Sequence, residues 1–151
     1  PTLGQQEAWN KVMSGSRDHA RTPMQWSDEK NAGFTAGEPW LGTDMDYKEW
    51  NVDRQLEDEG SVLRFYQKLI KLRKEHEALV YGLFEVVNRK TKNVFTYYRS
   101  LGTKRWYIET NISSDSISTY VPGKEYKKII SNYPCDADYL RPYEANLYLR
   151  S

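Results

Sequence analysis

The periodicity of apolar and polar positions changes character about halfway along the chain. Before residue 80 the apolar residues recur at helical spacing or at none. After it they fall in short runs punctuated by turn residues. Residues 5–13 are helix-compatible, with Ala8, Trp9, Val12 and Met13 along one edge and Gly15 as a stop. Residues 61–77 carry the clearest amphipathic pattern. Val62, Tyr66 and Leu69 centre an apolar face, flanked by Leu63, Phe65, Ile70 and Leu72. Gln67, Lys68, Lys71, Lys74 and Glu75 take the opposite side. Glu57, Asp58 and Glu59 place negative charge where a helix N-terminus is positive, and Ser61 is positioned to cap it. The apolar face covers about half the circumference, wider than a surface helix on one core requires.

From Leu79 onward, residues 82–88, 93–99, 104–111, 117–121, 127–131 and 145–150 are expected to form strands. Val94, Thr96 and Tyr98 alternate with Phe95, Tyr97 and Arg99, leaving few purely polar positions. Turn signals stand at Leu101-Gly102-Thr103, Ser113-Ser114-Asp115 and Pro122-Gly123-Lys124. Strands at this spacing predict an antiparallel, Greek-key-like β-sandwich, so the chain is mainly β. A boundary near Val80 separates a loop-and-helix segment, 1–79, from an all-β segment, 80–151.

Between the two helical patterns lie two stretches without a period. Residues 16–26, SRDHARTPMQW, hold Arg17, Asp18, His19 and Arg21 with no apolar stripe to bury, and therefore read as a loop. Thr22-Pro23 stiffens it. Such a loop fits a ligand-facing surface held by a rigid scaffold. On spacing alone it reads rather as a salt-bridged surface turn in which Asp18 pairs with Arg17 or Arg21. Residues 27–53 form a glycine-rich irregular segment longer than an ordinary connection, a length usually met in functional or disordered loops.

Composition narrows the possibilities. At 151 residues the chain suffices for one ordinary domain, but not for a complete eight-fold barrel of roughly 250 residues. Its 22 basic and 21 acidic side chains leave a net charge of +1, which favours neither nucleic acid nor a membrane as partner. The 12 tyrosines and 5 tryptophans suit sugar binding and a tyrosine-rich sandwich alike. Cys135 is the single cysteine, which excludes an internal disulfide and a cysteine-based metal cluster and fits a reduced, cytoplasmic setting. No apolar run approaches the ~18 residues of a membrane span. The first residues lack the basic and apolar regions of a signal peptide, and a chain opening on Pro1 is expected to be a piece of something larger.

SRDHARTPMQW, then NAGFTAGEPW (31–40), WNV (50–52), YQKLIKLRK (66–74), VYG (80–82) and LRPYEA (140–145) follow one another in an order that resembles a known family. They are similar to the C-terminal third of oligo-1,6-glucosidase-type enzymes of the α-amylase clan of retaining glycoside hydrolases. The resemblance implies that residues 1–79 are the last part of a catalytic (β/α)8 barrel. Residues 16–26 would be a substrate loop, and the helix at 61–77 the eighth barrel helix, with a C-terminal sandwich following. It implies that Arg17 points into the glucose pocket and hydrogen-bonds sugar hydroxyls, with Asp18, Arg21 and Trp26 supporting the loop. The family usually has Asp where this chain has Ser27, and more often Asn where it has His19.

A retaining glycosidase needs two carboxyl groups about 5 Å apart. The motifs that carry them in this clan do not occur here, so no catalytic residue is assigned and the chain alone is expected to hydrolyse nothing. Asp44, Asp46, Glu57, Asp58 and Glu59 read as solvated charges. No cofactor and no metal ligand set is expected; His19 has no second ligand at metal spacing. The expected partners are an oligosaccharide substrate in the intact parent and the missing N-terminal barrel. Two other readings stay open: a non-catalytic carbohydrate-binding β-module, in which Trp106, Tyr107, Tyr120, Tyr143 or Tyr148 supply a sugar platform, and a structural domain that docks through its wide helix face. An isolated chain would cover that face by self-association.

Overall fold

The computed structural model describes residues 4–87, 92–120 and 123–150. Asn88, Val121 and Pro122, which end two expected strands and open a turn, lie outside them. The chain divides into two compact units, residues 1–64 and 65–151.

The first unit begins with α1 (Gln5–Gly15), whose last turn closes through Ser16 N–H on the Val12 carbonyl at 2.9 Å. Its apolar edge remains open, with Trp9, Val12 and Met13 exposed. A second helix, α2 (Val52–Glu57), lies partly in the stretch expected to be irregular. Asn51 explains it: the buried side chain accepts the Arg54 N–H at 3.0 Å and donates to the Tyr47 carbonyl at 2.9 Å. One side chain thereby caps the helix and ties it to the preceding turn. Among the described residues of this unit only Ala32, Asn51 and Ser61 are buried. Among its described residues there is no apolar core.

The helix expected over 61–77 is α3 (Val62–Glu75), followed after a break by α4 (Glu77–Tyr81). The start agrees with the expected cap, since Ser61 Oγ accepts the Arg64 N–H at 3.2 Å. The end is corrected by tertiary packing. His76 adopts an extended backbone, φ −126° and ψ 97°, and its ring meets Trp106 edge-on at 4.8 Å. At the end of α4 the helix carbonyls receive arginines from two directions. Arg73 donates to Leu79 O at 2.6 Å and Arg99 to Val80 O at 2.8 Å, answering acceptors that a helix C-terminus leaves open.

The second unit is built on an antiparallel five-stranded sheet of β1 (Leu83–Val87), β2 (Val94–Leu101), β3 (Lys104–Asn111), β5 (Tyr126–Ser131) and β7 (Ala145–Arg150). The spatial order is β1-β2-β3-β7-β5. A separate antiparallel ribbon pairs β4 (Ile117–Ser118) with β6 (Tyr139–Leu140). The mainly β, antiparallel character is as expected. The second sheet is shorter than a full sandwich layer, and β6 was not foreseen.

Strand β3 shows why the tyrosine-rich sequence folds this way. It is buried on both faces, so its alternation separates two kinds of core rather than core from solvent. Trp106 and Ile108 join Ala78 and Leu79 of α4, with Leu72, Tyr97, Leu147 and Leu149 packed around them. Tyr107 faces the other way, with Tyr126, Tyr148 and Tyr98. The β2–β3 hairpin turns on Gly102 at φ +57°, the left-handed value that a first-position glycine supplies in a two-residue turn. On α3, Val62, Tyr66 and Ile70 remain exposed, so only part of the wide apolar face is used.

Candidate functional site

Two polar regions compete for a functional role, and their surroundings separate them. The first is the loop at 16–26. Arg17 follows α1 and precedes a 3-10 turn, Asp18–Ala20, closed by Arg21 N–H on Asp18 O at 2.9 Å. Ser16 Oγ accepts the Asp18 N–H at 3.2 Å. The side chains of Arg17, Asp18 and Arg21 are all exposed. Among the described residues no ion pair joins them, so Asp18 shapes the turn through its backbone.

The far end of this loop is held by hydrogen bonds to two other segments. Trp26 and Ser27 donate their N–H groups to one acceptor, Ala32 O, at 2.9 and 3.1 Å. The amides of Val52 and Asp53, which open α2, donate to Gln25 O and Trp26 O, each at 3.0 Å. Those amides have no partner within their own helix, so the loop backbone completes the helix start. Gln25 Nε2 adds a 2.8 Å bond to Asp46 Oδ1, which gives that carboxylate a fixed role beyond solvation. The Trp26 ring is itself half exposed, so its backbone provides the support. Ser27, standing where the family usually has Asp, accepts the Glu29 N–H at 3.3 Å and holds the next turn.

That turn contains the least ordinary backbone among the described residues. Asn31, Ala32 and Gly33 are consecutive left-handed residues, with φ of 57°, 56° and 66°. Asn31 and Gly33 tolerate this region, whereas alanine rarely does. A β-carbon at Gly33 would collide with Ser27 Oγ, so the glycine is required twice. Asn31 Nδ2 bridges to Thr35 O at 3.1 Å and Gly37 O at 2.7 Å. Sequence reading placed this run within an irregular segment; its Asn and Gly were the available signal.

The second polar region lies inside the sheet unit. Glu109 is fully buried, accepting from Thr119 Oγ1, from Tyr120 N–H at 3.3 Å and from the Tyr107 hydroxyl at 3.2 Å. Burial raises the Tyr107 and Tyr148 hydroxyls well above the ordinary tyrosine range, and the nearby Glu109 charge pushes them further. Glu144 is also buried. Desolvation would raise its pKa, but hydrogen bonds from Arg141, at 2.9 Å from both N–H and Nε, outweigh that and hold it below the usual value. Asn111 Nδ2 satisfies Asp115 O and Arg141 O at 2.6 and 2.8 Å. These groups are already engaged with protein, and sequence reading did not single out Glu109, Glu144 or Asn111.

Of the aromatic residues considered for a sugar platform, Trp106, Tyr107 and Tyr148 are buried in packing, while Tyr120 and Tyr143 are exposed. Among the described residues no three His, Cys, Asp or Glu side chains group as metal ligands would, and no helix is long and apolar enough to cross a membrane.

Residues 2–82 match the family model described as "Alpha amylase, catalytic domain". The chain is 40% identical over 153 residues to an oligo-1,6-glucosidase of Parageobacillus thermoglucosidasius, covering 95% of this chain and 27% of that protein. It superposes with a TM-score of 0.88 on trehalose-6-phosphate hydrolase of Bacillus licheniformis, at 30% identity, covering 98% of this chain and 29% of the other. It superposes with a TM-score of 0.86 on isomaltulose synthase of Klebsiella sp. LX3, at 34% identity, covering 98% and 28%. The chain thus spans little more than a quarter of the length of the relatives it matches.

Proposed function

The chain belongs to the α-amylase family of glycoside hydrolases, among oligo-1,6-glucosidase and α-glucosidase relatives, and from that premise we propose that it is the C-terminal part of a retaining α-glucosidase acting on short α-glucosides such as isomalto-oligosaccharides. Residues 1–79 close the catalytic barrel and residues 80–151 form the terminal β-domain. The remainder of the enzyme supplies the nucleophile and the acid/base carboxyl, which together release glucose from the non-reducing end with retained configuration. The 151-residue chain alone is inactive. The exposed positions Val62, Tyr66 and Ile70 of α3 fit docking onto the remainder of that barrel.

The observation that carries this proposal is Arg17. Its guanidinium is exposed, with no ion-pair partner among the described residues, near the start of a loop whose far end is pinned. A guanidinium keeps its charge at any relevant pH and presents a planar fork of donors to a sugar diol or a carboxylate. In the full enzyme it holds the glucose unit and pairs with an acidic residue of the missing portion. Arg17→Ala in the full-length enzyme is expected to lower kcat/KM on isomaltose by about a hundredfold with folding unchanged. Unchanged turnover would remove Arg17 from the site. A companion measurement uses the 151-residue chain, following tryptophan indole and backbone amide signals with glucose, isomaltose and maltose. No shifts at millimolar sugar are expected; saturable shifts confined to the β half would instead favour a binding module.

A further inference from the structure

The left-handed run at Asn31–Gly33 has no role in the reaction proposed above, yet it is bonded to the loop that does. We propose that this run is a positioning clasp for the substrate loop, with Asn31 as its positioning residue. The inference rests on the assignment of Arg17 to the glucose subsite.

Three observations meet at one place. The Ala32 carbonyl accepts two consecutive loop amides, those of Trp26 and Ser27, so one acceptor sets the direction in which the loop leaves its base. That carbonyl is aimed by an alanine at φ 56°, a conformation that persists in a non-glycine residue only where its surroundings over-determine it. Asn31 supplies the over-determination. Its side chain spans to Thr35 O and Gly37 O, closing the segment after the turn back upon it. Ala32 is wholly buried, and there is no space at Gly33 for a β-carbon beside Ser27, so the clasp admits little rearrangement. Arg17 opens the same loop directly after α1, and its carbonyl accepts the Ala20 N–H at 3.2 Å. Its aim is set by both ends of the loop, the helix before it and the anchor at Trp26, and misplacing a binding group by about 1 Å can cost as much as a hundredfold in rate.

The test is a double-mutant cycle in the full-length enzyme on isomaltose. Asn31→Ala removes the two side-chain bonds. Asn31→Gly removes the same bonds while keeping the left-handed backbone unstrained, so it separates positioning from folding. Each is expected to lower kcat/KM about tenfold, with thermal midpoints for Asn31→Gly unchanged, because the clasp acts through the loop. Combined with Arg17→Ala, either is expected to cost almost nothing further. If Arg17→Ala lowers activity but the Asn31 effects add to it in full, the clasp does not act through Arg17 and the inference fails. If Asn31→Gly leaves kcat/KM unchanged, it fails also. If Arg17→Ala alone has no effect, the underlying assignment of the site is what falls. Amide exchange at Trp26 and Ser27 in the full-length enzyme provides a readout independent of turnover. Both amides should exchange faster in Asn31→Gly, and unchanged protection would count against the clasp.

Discussion

The two halves of the molecule treat polar side chains in opposite ways. In the sheet unit, Glu109, Asn111, Glu144 and Asn146 are buried, and most of their polar atoms are bonded to protein. In the unit before it, Arg17, Asp18 and Arg21 stand in solvent on a loop anchored mainly through its backbone. The apolar residues reverse the pattern. Trp106 is almost entirely buried, while Trp40 is 86% exposed and Trp9 and Trp50 are open as well. A satisfied, buried polar group contributes to a unique fold and has nothing left to offer a ligand. An exposed donor on a fixed base contributes little to stability and remains free to bind. The contrast separates architecture from recognition better than residue type does.

The largest test of this contrast is Trp106→Ala. Removing a large ring shared by α4 and β3 should cost about 3–5 kcal/mol, read as a lower urea midpoint. A loss under about 1 kcal/mol would mean that the sheet core does not depend on that contact. Next comes Gly82→Ala. The new β-carbon would clash with the Ala78 carbonyl and lie 2.9 Å from Ser100 O, where α4 hands over to β1. Overpacking of this kind is expected to cost about 1–3 kcal/mol. A neutral substitution would show that the junction can relax.

Titration probes the same interior without mutation. The raised folded values of Tyr107 and Tyr148 mean that the unfolded chain ionises first, near pH ~10. Their contribution is therefore complete below that pH and declines as pH rises through it. Glu144 has the opposite sign: its depressed value contributes above about pH 4.3 and is lost as pH falls below it. Urea midpoints at pH 8, 10.5 and 3.5 should be highest at the first, and a flat profile would contradict the buried network. The smallest effect is expected at Trp40→Ala in the 151-residue chain, within about 0.5 kcal/mol. A cost matching that of Trp106 would erase the distinction between the halves.

What the sequence disclosed follows the same division. The β2–β3 hairpin was legible because Gly102 marks the turn and the alternation on both sides is continuous. The start of α3 was legible because a cap is a local device, Ser61 with its target three residues on. The break at His76 was not, because it is set by a ring on β3 some thirty residues away in sequence. Strand β6 has two residues and exists only by pairing with β4, so no periodicity could announce it. At the candidate site the motif itself was readable by resemblance. The backbone that aims it was not, since nothing about alanine forecasts a left-handed Ala32.

The order β1-β2-β3-β7-β5 also has a consequence for synthesis. Strands β1 to β3 are neighbours in sequence and in space, so that meander can assemble while the rest of the chain is still emerging. Strand β5 cannot join them then, because its place in the sheet is beside β7. On the ribosome it must wait with its edge unpaired, Tyr126, Ile129 and Ile130 open to other nascent chains. Residues 145–150 act as the latch. A stalled or prematurely terminated polypeptide lacking them would hold a three-stranded sheet and a detached strand, a species suited to capture by chaperones or to aggregation.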